Sequence, residues 1–330
     1  LEPATEPSLF YASGLARQID SRILDVRARD QLAAVLRGAA PEIVFHLAAQ
    51  PLVAASLTDP LGTFQTNVQG VVNLLESARH LEDLRAIVVV TSDKCYLEPD
   101  RRCREDDRLG GHDPYSASKA CAEMVVEAYR SCFFPPESGR GLATARAGNV
   151  IGGGDFAPAR LLPDLMRAFA EGRPALLRQP GSVRPWQHVL DALAGYLELA
   201  ERLYHEPAAC STAWNFGPDA YAIWTAARVA DAAVKRFGTG SWQAAGTGIP
   251  IEVPTLMLSS ERAQRRLGWR PRLGTAEAVA WAVDGYRELL REASCAWLVR
   301  QIHAFEELAA PPLLAPVPTA RHGEPTHAVA

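Results

Sequence analysis

The sequence predicts an α/β fold: a doubly wound, parallel, Rossmann-type sheet with a smaller, mainly helical part after it. Three observations lead there. Short β-branched runs alternate with helical patterns through the first half of the chain, those runs have no polar face, and the alternation stops after Asn149. Taken in order, Ile19–Val26 reads as a strand ending near Asp25, followed by a helix near Asp30–Arg37. Glu42–Leu47 is a second strand, followed by a helix near Asp59–Arg79. Arg85–Thr91 is a third strand, and a long helix runs from Tyr115 to Cys132. Leu142–Ala147 makes a fourth. Right-handed crossovers place the loops after parallel strands on one edge of the sheet, so Asp25, Ala48, Ala49, Ser92 and Asn149 are expected to gather there.

Beyond Asn149, Gly152–Gly154 and several prolines break the pattern, and helices are predicted near Pro163–Glu171 and His188–His205. Residues 1–150 therefore read as the sheet domain. Residues 151–308 read as mainly a substrate domain with some segments returning to the sheet, and the Ala- and Pro-rich residues 309–330 as a disordered tail.

Composition removes several function classes. The 330 residues are 48% hydrophobic and 22% charged with a net charge of −4, and no long basic run speaks for a nucleic-acid or membrane-surface partner. Apolar runs such as Ala86–Val90 are too short to span a bilayer, and no secretory signal is visible. Six scattered cysteines, at 95, 103, 121, 132, 210 and 295, form no CxxC pair and have no zinc-like His spacing. They read as reduced thiols of a cytoplasmic protein, and no metal is expected. The chain starts at Leu1 in a Pro-rich stretch, which reads as an incomplete reading frame.

Lysine usage points to the chemistry. The chain holds 31 arginines but three lysines; Lys235 lies in an ordinary helical pattern, while Lys94 and Lys119 sit in motif-like strings. Arginine supplies permanent charge; lysine supplies a compact ammonium whose pKa can be shifted. Tyr115 and Lys119 are four apart at the start of a helix, on one face and about 6 Å apart along its axis. A phenol with a pKa near 10 is a poor base, but a neighbouring ammonium and a bound oxidised nicotinamide favour phenolate. That pairing suits taking the proton of a sugar hydroxyl while hydride leaves the same carbon. With eight tyrosines and three lysines, about 0.07 such pairs arise by chance, so the pair gains its weight from context. Ser92, at a strand end, offers a hydroxyl to the same substrate oxygen. Asp93–Lys94 directly after it reads either as a second acid–base couple or as a surface ion pair worth little.

Tyr115-x-x-x-Lys119 after Ser92, His46-Leu-Ala-Ala49 and Asn67 in Thr66–Gly70 resemble the extended short-chain dehydrogenase/reductase family. Thr91–Tyr96, Leu109–Glu123, Arg146–Asp155 and Arg184–Val189 resemble, more narrowly, the CDP-glucose 4,6-dehydratases. The similarity runs from about Pro7 to Tyr286. It implies NAD as cofactor, CDP-glucose as substrate, a homodimer, and a role in deoxysugar and O-antigen biosynthesis. Tyr115, helped by Lys119 and Ser92, would deprotonate the 4-hydroxyl while hydride passes from carbon 4 to NAD. Asp93 would protonate the departing 6-hydroxyl, and Lys94 would act as the base at carbon 5 or stabilise the enolate. The hydride would then return to carbon 6. In the related dTDP-glucose enzymes a Glu takes the position of Lys94.

The resemblance also implies cofactor contacts from Asp25, Val26, Ala48, Ala49, Asn67, Tyr115 and Lys119, and substrate contacts from Asn149, Arg184 and His188. Plainer readings stand beside these. Asp25 suits a helix N-cap, Ala48 and Ala49 suit packing, and Asn67 and His188 suit the interior; an arginine such as Arg184 is most often a solvated surface residue. The family's GxxGxxG turn should lie before Pro7 and is absent from the sequence. An N-terminally truncated dinucleotide-binding domain is therefore expected, binding NAD poorly and leaving apolar sheet edges exposed. Ser259–Ser260, where relatives tend to carry Asp, would slightly weaken a helix cap. Two alternatives remain at this level: a nucleotide-sugar epimerase or decarboxylase of the same fold, and a non-catalytic sugar-nucleotide-binding remnant.

Overall fold

The computed structural model describes residues 5–98, 101–219, 223–246, 253–291 and 296–308. Four parallel strands, β1 (Ile43–His46), β2 (Ala86–Val90), β3 (Gly141–Ala147) and β4 (Ala213–Phe216), lie side by side in that order. Their sequences lack a polar face because both faces are covered. In β2, Ile87 and Val89 enter one core and Ala86 and Val88 the other, as the period of two in a strand requires. The first core is closed by helices α1 (Arg29–Ala39), α2 (Gly70–Ala78) and α3 (Pro114–Phe133), through Leu32, Val71, Leu74, Leu75, Ala122 and Val126. After α4 (Leu161–Ala170), helix α5 (Val189–His205) closes the second core with Tyr196, Leu199 and Leu203 against Trp214 and Phe216. This is the doubly wound parallel sheet that the alternating pattern predicts.

A third core joins α4 to α6 (Ala226–Phe237) and α7 (Thr275–Arg291), with Leu165, Phe169, Val229, Val283 and Tyr286 at its centre. Short two-stranded pairs surround it, among them Val150–Ile151 with Gln187–His188. The C-terminal edge of the sheet opens toward this unit.

Three expectations need correction or refinement. Ile19–Val26 is not a strand: residues 21–25 form no ladder, because β1 is hydrogen-bonded to β2 alone among the described strands and a strand exists only with a partner. The Asp25 carbonyl instead accepts the Ala28 amide at 2.9 Å in a turn. On β1, Ile43 and Phe45 are exposed, as an apolar edge was expected to be. The single helix expected over Asp59–Arg79 is three consecutive pieces, Pro60–Phe64, a π-turn at Gln65–Gln69, and α2. Ser260 makes no side-chain cap; its hydroxyl accepts the Gly217 amide at 2.9 Å and donates to the Gly217 carbonyl at 3.2 Å. The tail at 309–330 lies outside the described residues.

α7 approaches the glycine-rich loop closely. A Cβ on Gly285 would lie 2.9 Å from Gly153 Cα and 2.8 Å from Trp297 Cζ3, both too short for contact. One residue further on, the Tyr286 hydroxyl donates to the Asp155 carbonyl at 2.5 Å, so the approach fixes the loop. Gly285→Ala is expected to destabilise the protein by about 1–3 kcal/mol through overpacking. Urea unfolding checks this, and a loss below about 0.5 kcal/mol, the level of an ordinary surface change, contradicts it.

Candidate active site

Helix α3 starts where its sequence requires. Asp113 is the N-cap, accepting the Ser116 amide at 2.9 Å and the Ser116 hydroxyl at 2.6 Å, and Pro114 occupies the first turn. Gly111 lets the incoming loop press on that turn, since a Cβ there would meet Ser116 and Ala117 backbone at 2.5 Å. Tyr115 and Lys119 thus fall on successive turns facing the end of β2. Both are buried, and Lys119 Nζ donates to the Val90 carbonyl, the last of β2, at 3.3 Å. The chain then leaves β2 into the short Asp93–Cys95 turn, where Ser92 Oγ donates to Asp93 Oδ1 at 3.1 Å and accepts the Lys94 amide at 3.2 Å. The same hydroxyl is near enough to the Tyr115 phenol to favour its ionised form.

Ser92, Asp93, Lys94 and Tyr115 line one cavity of about 450 Å³, and Asn149 and Arg184 line it too. The two groups that the sequence picked out, the Tyr–Lys helix and the Ser–Asp–Lys turn, therefore address a common space. Arg160, Arg178 and Gln179 also line it and were not singled out from the sequence. Arg160 pairs with Asp155 at 2.8 Å, and Arg184 Nη1 donates to the Val183 and Pro254 carbonyls at 2.8 and 3.3 Å. A wall carrying three guanidinium groups suits an anionic diphosphate.

Burial dominates the proton energetics. It pushes the Tyr115 phenol up to about 12, opposed by the Ser92 hydroxyl. It pushes the Lys119 ammonium down to about 8, opposed by the Glu123 charge. So in the protein alone the phenol keeps its proton: desolvation dominates, and the groups that favour phenolate are Ser92 and Arg160 rather than the expected Lys119. His46, on the same side of β1, is pushed down to about 4 by burial and by Lys119, and its Nε2 has no hydrogen-bond partner among the described residues.

The remaining candidates divide. Asn67 turns inward at the π-turn, accepting the Gln50 amide at 2.8 Å and donating to Gln50 O at 3.1 Å and Ser118 Oγ at 2.9 Å. It ties the loop after β1 to α3. Ala48 is exposed and Ala49 partly exposed at that loop. Asp25 accepts the Arg27 amide at 2.9 Å and pairs with its guanidinium at 2.6 Å, which holds its carboxyl down at about 2. The N-cap position of α1 is Ala28, so Asp25 does not cap that helix. Asn73, missed in the sequence, donates to the Val26 and Arg27 carbonyls at 3.0 and 3.1 Å and fixes this turn. His188 is not brought to the cavity. It is 1% exposed, caps α5 by accepting the Leu190 amide at 3.3 Å, and packs edge-on to Trp281. Cavity-facing Trp186 comes from the same string. Among the described residues no group of three or more His, Cys, Asp or Glu is arranged to hold a metal ion.

Residues 10–215 match the model of the NAD dependent epimerase/dehydratase family, and the chain belongs to that family. The chain is 44% identical over 301 residues to the CDP-glucose 4,6-dehydratase of Salmonella typhimurium, covering 88% of this chain and 83% of the relative. It is 26% identical to UDP-glucose 4-epimerase 3 of Oryza sativa, over 81% and 74% of the two chains. Among solved structures, the UDP-glucose 4-epimerase of Thermus thermophilus with NAD superposes with a TM-score of 0.70 at 25% identity, covering 80% and 83%. The dTDP-glucose 4,6-dehydratase DesIV of Streptomyces venezuelae, with NAD bound, gives 0.69 at 24%, covering 80% and 78%.

The residues present fit the nicotinamide end of NAD. Ala48, exposed just past the end of β1, adds little side-chain bulk there, and Lys119 spends one of its three donors on Val90. The same buried amine makes a stability prediction. Unfolded lysine titrates near 10.5 and Lys119 near 8, so between these values the unfolded chain binds more protons and stability rises with pH. Below pH 8 the full penalty of about 3 kcal/mol applies, at about 1.4 kcal/mol per pKa unit. Lys119→Met is therefore expected to stabilise the protein by about 1–3 kcal/mol at pH 7. The gain should fade as pH rises from about 8 to 10.5. Urea unfolding at several pH values tests this, and a difference that does not vary with pH contradicts it.

Proposed function

We propose that this chain is a CDP-glucose 4,6-dehydratase, converting CDP-glucose to CDP-4-keto-6-deoxyglucose and water. The observation that carries the reading is that Tyr115 and the Ser92–Asp93–Lys94 turn face one cavity, large enough for a hexose and its diphosphate. An oxidation needs the tyrosine alone; removing water across carbons 5 and 6 needs a second acid and base, and the turn supplies them. The 44% identity to the Salmonella enzyme supports the same substrate. An epimerase of the family has no use for the Asp93–Lys94 couple, which sets that alternative aside.

Tyr115 takes the proton of the 4-hydroxyl, and Ser92, which lines the same cavity, holds the same oxygen. Lys119, on the next turn of the same helix, would help hold the cofactor and assist the phenol. NAD, when bound, would supply the hydride acceptor for carbon 4 and the hydride donor for carbon 6. Lys94 removes the carbon 5 proton or steadies the enolate, and Asp93 protonates the leaving 6-hydroxyl. Asn149 and Arg184 hold the diphosphate. Residues 1–150 form the dinucleotide-binding part and 151–308 the sugar-nucleotide part, with β4 returned to the sheet. The five described free cysteines support a cytoplasmic setting. Among the described residues no helix is long and apolar enough to cross a membrane. Exposed Leu57, Leu61 and Met124, on helices packed against each other, support a homodimer through that face.

Incubating the chain with NAD and CDP-glucose should give a 4-keto sugar, read by its absorbance in alkali. Tyr115→Phe should slow the oxidation itself by about 10²–10⁴-fold. Lys94→Ala should leave oxidation in place and stall the elimination of water, so that reduced nicotinamide builds up. Equal loss of nicotinamide reduction in both variants overturns this division of roles, and an epimerised hexose as product overturns the dehydratase.

A further inference from the structure

The turn that carries Ser92, Asp93 and Lys94 begins at Thr91 and ends at Tyr96, and one buried ion pair grips both ends. Glu123 lies on α3 one turn beyond Lys119, and Arg146 on β3; their side chains are 3% and 4% exposed and 2.6 Å apart. Glu123 accepts the Thr91 hydroxyl, and also the Thr144 hydroxyl at 2.8 Å. Arg146 Nη1 donates to Tyr96 Oη and to the Glu105 carbonyl, both at 2.9 Å, and its guanidinium lies 5.1 Å from the Tyr96 ring centre. Tyr96 Oη in turn donates to Asn215 Oδ1 on β4 at 2.7 Å. α3, β3, β4 and both ends of the turn thus meet on one pair.

Stability alone is a poor reason for such a pair. Two charges lose more on burial than most pairs regain, and apolar residues of similar volume often serve as well or better. What apolar residues cannot supply is direction: a carboxylate and a planar guanidinium set the angles of every group they bond. We propose that Glu123 and Arg146 are positioning residues, a rivet that holds the acid–base turn in register with the helix of Tyr115 and Lys119. The inference rests on the dehydratase reading, in which two proton-transfer units must reach neighbouring carbons of one ring. Errors of about 1 Å between such units are costly. The Glu123 charge also opposes the loss of the Lys119 proton, so the rivet acts on charge as well as place.

Two substitutions cut one end each and leave the ion pair in place, Thr91→Val and Tyr96→Phe; Thr91→Ser restores the hydroxyl. Amide hydrogen exchange on the full chain reads the turn directly. Loss of one hydrogen bond to a charged group should speed exchange at Lys94 and Cys95 about tenfold in Thr91→Val, with α2 and β3 unchanged. With CDP-glucose and NAD, 4-keto product should form about tenfold more slowly with KM within about twofold of the parent, and oxidation should suffer less than elimination. Thr91→Ser should behave as the parent in both measurements. Three results overturn the proposal: unchanged exchange in the turn for both cutting variants, a rise shared by the whole sheet, or a Thr91→Ser variant as impaired as Thr91→Val. If the parent chain makes no 4-keto product, the dehydratase reading fails, while the exchange comparison still decides whether the rivet holds the turn.

Discussion

The amine of Lys119, sealed against the last carbonyl of β2, constrains everything around it, because a buried lysine nitrogen must be placed before it can be used. Reaching Val90 O from α3 fixes how far that helix is rotated over the sheet, and Tyr115, one turn earlier, inherits its direction from the same rotation. Holding α3 at that angle falls to groups with no chemistry of their own. Asp113 and Pro114 start the helix, Gly111 lets the loop lie flat on its first turn, and Asn67 bonds Ser118 from the opposite side. The cost is electrostatic as much as steric. The ammonium is kept near its titration point, which suits a proton-handling site and weakens the fold.

Parallel sheets make such a site possible by ending all their strands on one side. β1, β2 and β3 deliver Ala48, Ser92 and Asn149 to that edge, and the unit built on α4, α6 and α7 adds Arg160, Arg178 and Arg184 to the cavity lining. The division follows the chemistry. In the proposed mechanism the groups that exchange protons stand at the sheet edge and on the helix packed against it, and the groups that attract an anion stand on the shorter-stranded unit.

How much of this was legible in the sequence depended on whether the deciding force was local. β2 and β3 could be read because burial on both faces removes polar residues from the run itself, and α3 because its cap lies in its own first residues. The Ile19–Val26 run has the same composition but no strand beside it among the described residues, and pairing is not written in a single segment. β4 escaped for the opposite reason: it is four residues long and includes Asn215, a polar residue that is tolerated because Tyr96, Glu105 and Cys103 satisfy it. The π-turn around Asn67 left no mark either, since its residues suit an α-helix equally well. At the site, scarcity of lysine exposed Lys94 and Lys119, whereas the cavity arginines were hidden among 31 of their kind. His188 shows the limit of a motif: the string was relevant, but Trp186 is the residue that reaches the cavity.

That same imbalance between the two basic residues has a physical reading at the site. Burial works against the charge of both Arg146 and Lys119, but with different outcomes. Beside Glu123, Arg146 is held above its ordinary pKa, so it stays charged at any pH the protein survives and can serve as a fixed point for Tyr96, the Glu105 carbonyl and the turn. Glu123 is likewise held below its usual range: desolvation raises it, and Arg146 with the two threonine hydroxyls more than reverses that. Lys119, one turn away and without a contact ion of its own in that network, falls to about 8. Permanent charge is thus used to build the site, and adjustable charge is used to run it. A chain whose positive charge is carried almost wholly by arginine has a lysine at position 119, where burial brings the amine down to about 8.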